Sequence, residues 1–202
     1  MKRYLFLLML AIMPALAMAQ SEKTNKGAHY LEVKTGLSIS DIPLINTFDA
    51  PPVEGLSFDM RYAYGLINNL DIIAAFSTYS GYESFDEIMA IGKFSYIDRM
   101  YYCNALQIGV RGKVKCFDFM NLKLSLTGGL MNHAQTCYGD YPPLQPYTVM
   151  YLRSCVGGMF EVDFDISKRM SLGLFYGRTT TILNKNAGVK FDNTGLSLSV
   201  RL

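Results

Sequence analysis

Eight stretches of this chain alternate, residue by residue, between an apolar and a polar series. Period two is the signature of a strand whose two faces meet different surroundings. In the first stretch Leu31, Val33, Thr35, Leu37 and Ile39 oppose Glu32, Lys34, Gly36 and Ser38. In the second, Leu56 to Tyr64 opposes Ser57, Asp59, Arg61 and Gly65; in the third, Leu70, Ile72, Ala74 and Phe76 oppose Asp71 and its series. The fourth sets Leu106, Ile108, Val110 and Val114 against Tyr101, Gln107, Arg111 and Lys113, and the fifth sets Leu122 to Leu130 against Lys123, Ser125, Thr127 and Met131. The sixth sets Met150, Leu152, Val156, Phe160 and Phe164 against Tyr151, Arg153, Glu161 and Asp163, and the seventh sets Met170, Leu172, Leu174 and Tyr176 against Gly173 and Phe175. The last is the cleanest, with Leu196, Leu198, Val200 and Leu202 against Ser197, Ser199 and Arg201.

The connections between these stretches alternate too. Short turns lie around Asn68-Asn69, across Phe117 to Asn121 and around Ser167 to Arg169; longer connections run from about Ser40 to Val53, Ser80 to Met100, Asn132 to Thr148 and Thr180 to Asn193. In an up-and-down barrel this gathers the short turns at one end and the long loops at the other, the asymmetry of outer-membrane barrels. The expected fold is an all-β, eight-stranded antiparallel up-and-down transmembrane β-barrel.

Alternation does not say which face is inside. A soluble, exported calycin-like carrier would put its apolar face inward. The membrane sense is favoured because the apolar series is almost free of charge, with Arg178 the main exception. A charge facing the bilayer midplane costs roughly 2–4 kcal/mol. Strands of about ten residues also suffice to cross the hydrocarbon when tilted. Half of the 202 residues are hydrophobic, yet no internal run reaches the roughly 20 apolar residues of a spanning helix. Aromatic residues of the apolar series fall near strand ends: Tyr62, Tyr64 and Phe164 toward the short turns, and Phe76, Tyr102 and Tyr176 toward the long connections. Paired interfacial girdles have this distribution.

The N-terminus carries a targeting pattern. Met1-Lys2-Arg3 is followed by an apolar stretch from Tyr4 to Met13, a break at Pro14 and the small-x-small site Ala17-Met18-Ala19. Residues 1–19 are expected to be a secretory signal peptide, and 20–202 the barrel. No Cys follows the cleavage site, which argues against a lipid anchor. The net charge of +2 creates no field that would favour nucleic acid.

The polar series carries both signs: Lys34, Arg61, Arg111, Lys113, Lys123, Arg153 and Arg201 against Glu32, Asp59, Asp71, Glu161 and Asp163. The interior of an eight-stranded barrel is just wide enough for side chains to fill it. Buried charges must be paired or wet, so an interior salt-bridge network is expected rather than an open pore.

The hairpin Tyr64-Gly65-Leu66-Ile67-Asn68-Asn69-Leu70, the strand Lys123 to Leu130 and the terminal Gly195 to Leu202 resemble the small eight-stranded outer-membrane barrels of the OmpA/OmpX-like type. The likeness extends over the whole mature chain and implies an outer-membrane location with lipid around the wall. It also implies that the barrel-assembly machinery recognises the C-terminal strand. Such barrels often end on an aromatic residue, whereas this chain ends on Leu202.

No catalytic set stands out. His29 precedes the first strand and His133 opens a long connection, with Asp140 in the same connection and Ser125 on the strand before it. The chain is expected to be no enzyme, with no cofactor and no metal. The spacing of Cys103, Cys116, Cys137 and Cys155 fits no zinc pattern. Export permits disulfides, and a bridge from Cys137 to Cys103 or Cys155 stands beside the alternative that the cysteines act as small hydrophobes. Tyr82, Tyr96, Tyr138, Tyr141 and Tyr147, with Tyr79 nearby, fall in the long connections and suit an external binding surface. The functional expectation is a structural or surface-interaction barrel. The alternatives are a narrow transport or lipid-handling barrel and the soluble carrier.

Overall fold

A computed structural model describes residues 26–41, 52–88, 94–139, 144–182 and 188–202. The signal-peptide segment lies outside the described residues. Eight strands follow one another: β1 (His29–Asp41), β2 (Val53–Ile67), β3 (Leu70–Ile88), β4 (Phe94–Phe117), β5 (Met120–Gly139), β6 (Leu144–Asp165), β7 (Met170–Thr181) and β8 (Lys190–Arg201). Each pairs antiparallel with its neighbours, and β8 closes on β1 into a barrel. The pairing leads from Ile39 through Asp192, Arg178, Gly158, Leu126, Val110, Ile72 and Tyr64 back to β1 at His29. Closure therefore shifts the register by the ten residues from His29 to Ile39, which goes with a strand tilt of roughly 40°.

The alternation has the membrane sense. Leu37, Leu56, Leu106, Ile108, Leu152 and Leu174 face outward and are more than half exposed, whereas Glu32, Lys34, Asp71 and Arg111 are sealed inside. An inward apolar face throughout, which a soluble carrier requires, is thus overturned. The outward belt ends on a ring of polar residues: Glu54, Ser80, Asn104, Asn132, Ser154 and Lys190. From the short turns to this ring each strand spends about ten to thirteen residues. At the barrel's tilt that rises roughly 25 Å or slightly more, the height of a bilayer-facing apolar band. The main charged exception foreseen on the apolar series, Arg178, sits just below the ring. Its guanidinium grips Asp192 at 2.6 and 2.7 Å, and the Tyr176 hydroxyl donates to the same carboxylate at 3.0 Å.

Two long connections are shorter than expected. β3 and β4 stay paired from Gly81↔Tyr101 up to Ile88↔Phe94, β5 and β6 up to Gly139↔Leu144, and β4 with β5 up to Ile97↔Gly139. The presumed loops are therefore mostly strand. Beyond the bilayer both faces of a strand meet water, so the period-two signal fades while backbone pairing continues. The pairing of β2 with β3 stops at Gly55↔Gly81 and that of β7 with β6 at Cys155↔Thr181. Half of the barrel wall thus continues outward as a four-stranded sheet, β3 to β6, standing roughly 15–20 Å above the ring.

Candidate functional site

The lumen is filled in two storeys. The lower one, toward the short turns, is ionic. Glu32 accepts from Arg111 and from Lys123 (2.8 Å), with Lys34 at 3.4 Å. Lys34 reaches on to Glu161 (2.5 Å), Arg111 and Lys113 hold Asp71 (2.7 and 2.8 Å), and Lys123 contacts Asp163. These eight side chains form one connected cluster spanning β1, β3, β4, β5 and β6. A little higher, Arg61 clasps Asp59 (2.7 and 3.0 Å), and Ser77 donates to the same carboxylate (2.7 Å). The strands make this possible because inward positions of neighbouring strands lie directly opposite, as with Glu32↔Arg61, Lys34↔Asp59, Asp71↔Arg111 and Lys123↔Glu161. Opposite charges in cross-strand positions attract.

Two members of the expected charge network lie elsewhere. Arg153 sits half-buried in the outer half, its guanidinium 4.7 Å from the Tyr151 ring centroid. Arg201 is exposed at the end of β8, at the mouth beside the short turns.

The upper storey is apolar, which the alternation did not foresee. Val53, Tyr79, Tyr101, Cys103, Ala105, Met131, Cys155, Val189 and Phe191 pack into one buried cluster. Tyr79 stacks on Phe191 with centroids 4.7 Å apart, and Tyr101 lies at 6.0 Å from the same ring. The ring of Tyr101 covers Gly81, where any Cβ would collide with it. The hydroxyls of the two buried tyrosines are partnered: Ser40 donates to the Tyr101 oxygen at 2.6 Å, and the Tyr79 and Thr179 oxygens are 3.3 Å apart. Tyr79 is thus part of this plug rather than of an external surface. The available signal was that the inward series turns apolar at Tyr79, Tyr101, Cys103, Ala105, Met131, Cys155 and Phe191, which lie near the middle of their strands or further toward the long connections.

The histidines do not build a catalytic set. His29, the first residue of β1, bonds the Tyr62 hydroxyl through Nδ1 on the outer face. His133 is not in a loop but on β5, buried, its ring 6.4 Å from that of Tyr151. Ser125 is eight residues away on the same strand, roughly 26 Å, and Asp140 lies outside the described residues. Among the described residues no group of His, Cys, Asp and Glu is placed to hold a metal.

The expected disulfide does not form. Cys103 and Cys155 are free buried thiols, and Cys116 is a free exposed one. The register explains this. Cys137 is opposite Arg99, four residues from Cys103, and opposite Tyr147, eight residues from Cys155. Those offsets are roughly 13 and 26 Å along the strands, whereas a bridge needs Cα atoms within about 7 Å.

Of the tyrosines expected to form an external surface, Tyr82 is exposed on β3 just above the ring. Tyr96, Tyr138 and Tyr147 are on the extended strands β4, β5 and β6, and Tyr141 lies outside the described residues. At the opposite end a cavity of 480 Å³ opens between the short turns, lined by Tyr30, Lys113, Lys123, Lys168, Arg169 and Arg201 among others.

No protein-family model matches the chain, and no curated protein matches it by sequence. Solved structures do. Neisserial surface protein A superposes with a TM-score of 0.61 at 13% identity, covering 88% of this chain and 100% of that one. The outer membrane protease OmpT of Escherichia coli gives 0.53 at 9% identity (91% and 99% covered). Ail, the attachment invasion locus protein of Yersinia pestis, gives 0.50 at 11% identity (86% and 99% covered). At such identities the likeness speaks for architecture alone. Together with the outward apolar belt and the ionic interior, it establishes the fold as that of the small outer-membrane β-barrels.

Proposed function

We propose that this chain is a non-enzymatic outer-membrane barrel that serves as a surface-interaction scaffold. The observation that carries the reading is the division of labour in the wall. The lumen is closed by an ionic layer and an apolar plug, while half of the strands continue past the polar ring as a four-stranded sheet. A chain whose only task was a pore would have no use for either feature. The extended sheet, bearing Tyr82, Tyr96, Tyr138 and Tyr147, is the surface that meets an extracellular ligand or protein. Its flanks lack strand neighbours among the described residues, and exposed sheet edges are templates for an added strand. Outer-membrane lipid covers the belt, and the barrel-assembly machinery engages β8 during insertion. Like Ail and OmpT, small barrels can serve invasion or proteolysis, as those names record; here the separation of His133, Ser125 and His29 supports the non-enzymatic reading.

The test has two arms. Purified barrel in planar bilayers is expected to give no steady conductance, and a steady open channel would overturn the scaffold in favour of narrow transport. Cells displaying the barrel are then compared with cells whose β3–β4 arm is cut back to the register partners Glu83 and Arg99. Adhesion to other cells and to protein-coated surfaces should fall to the level of cells without the barrel, at an unchanged amount of folded protein.

A further inference from the structure

The buried ionic cluster is neutral in itself, since Glu32, Asp71, Glu161 and Asp163 balance Lys34, Arg111, Lys113 and Lys123. At the rim of the 480 Å³ cavity below it, Lys115 is balanced by Asp118 at 2.8 Å. Three rim cations are left over: Lys168, Arg169 and Arg201. Among the described residues no carboxylate comes within ion-pair distance of them. The remaining rim acid, Asp165, accepts from the Asn121 amide at 3.1 and 3.2 Å. The two arginines are held at one edge of the opening, because the Arg201 N–H donates to the Arg169 carbonyl at 2.7 Å.

We propose that this mouth binds a phosphate-class oxyanion from the periplasmic side. Two arginines whose backbones are bonded to each other at the mouth supply two guanidinium forks of the kind that takes phosphate oxygens bidentately, and they stay charged at any physiological pH. The walls and the filled lumen behind them are of low dielectric and focus the rim's positive field into the cavity. The anion stops there, because the cations of the floor are already spent on Glu32, Asp71 and Asp163. The volume falls within the usual range for small-molecule sites, about 300–1,000 Å³, and leaves space for a diphosphate or a phosphorylated sugar. The same chemistry is offered by a soluble phosphorylated compound and by a phospholipid headgroup of the inner leaflet. The inference is independent of the scaffold reading, which concerns the other side of the membrane.

The full barrel, folded in zwitterionic micelles at low ionic strength, is titrated with inorganic pyrophosphate while its amide resonances are followed. The Lys168, Arg169 and Arg201 signals are expected to move saturably, and salt should weaken the effect. The double variant Arg169→Gln/Arg201→Gln should bind at least tenfold more weakly, and Asp165→Asn several-fold more tightly. All three positions are exposed, and heat-modifiable gel mobility verifies that each variant folds; should the double variant fail to fold, Lys168→Gln takes its place. Movement that does not saturate, or equal affinity in the wild type and the folded rim variants, overturns the site. In nanodiscs, loss of pyrophosphate binding on adding anionic phospholipid assigns the site to a headgroup, and its persistence assigns it to a soluble ligand.

Discussion

Replacing Glu32 with Leu is expected to destabilise the folded barrel by about 3–5 kcal/mol, the range for breaking a buried ion pair from one side. Glu32 is fully buried and is the anion shared by Arg111, Lys34 and Lys123, with the Ser199 hydroxyl donating at 3.4 Å. Without it three cations face one another where water has little access. Lys34 keeps Glu161, Arg111 keeps Asp71 and Lys123 keeps Asp163, so the barrel should still close, but at lower denaturant concentrations. The midpoint of urea unfolding in phospholipid vesicles measures the loss. The paired variant Glu32→Leu/Lys34→Met restores neutrality and should recover a large part of it, so that the two changes are non-additive as expected of contacting residues. An unshifted midpoint for Glu32→Leu would mean that the ionic layer is a by-product of the lumen rather than what holds it shut.

The exterior of this barrel was legible in the sequence to the level of single residues, and the interior only in part. Outside, the bilayer penalises each departure alike, so Leu37, Leu106, Leu174 and Leu198 state their orientation without help from neighbours. Even the exception, Arg178, is a compensated one, tied to Asp192. The lower lumen could be read because opposite charges on the inward parity have few other uses. The upper lumen could not. A sealed interior accepts a paired charge or a packed aromatic equally well, and Tyr101 and Met131 were simply members of the polar parity until closure of the barrel gathered them into one cluster with Phe191 and Cys103. Register also decided the cysteines: Cys137 was expected in a long connection, from which it could bridge to Cys103 or Cys155, whereas it lies on β5 with its pairing position four residues from Cys103. The arms of β3 to β6 were taken for loops because the signal used to find strands was a membrane signal, and these segments have left the membrane.

The position of that boundary leads to the second large effect. Ile108→Arg is expected to cost about 2–4 kcal/mol, while Asn104→Arg, four residues further along the same face of β4, should cost about 0–1 kcal/mol. Ile108 is 72% exposed and its register neighbours on the outer face are Ala74 and Gly128. Nothing beside it could shield or pair a guanidinium. Asn104 pairs with Asn132 and Thr78, and an Arg there extends its head group into the polar layer while its stem stays against the wall. The two substitutions add the same charge to the same strand of the same barrel, so differences in synthesis or interior packing cancel between them. Only depth separates the two sites, roughly 10 Å along the barrel axis at this tilt. Equal losses in vesicle unfolding would move the outer edge of the apolar band to one side of both residues. The ring from Glu54 to Lys190 would then no longer mark where hydrocarbon ends, and the four-stranded sheet would begin inside the bilayer rather than above it.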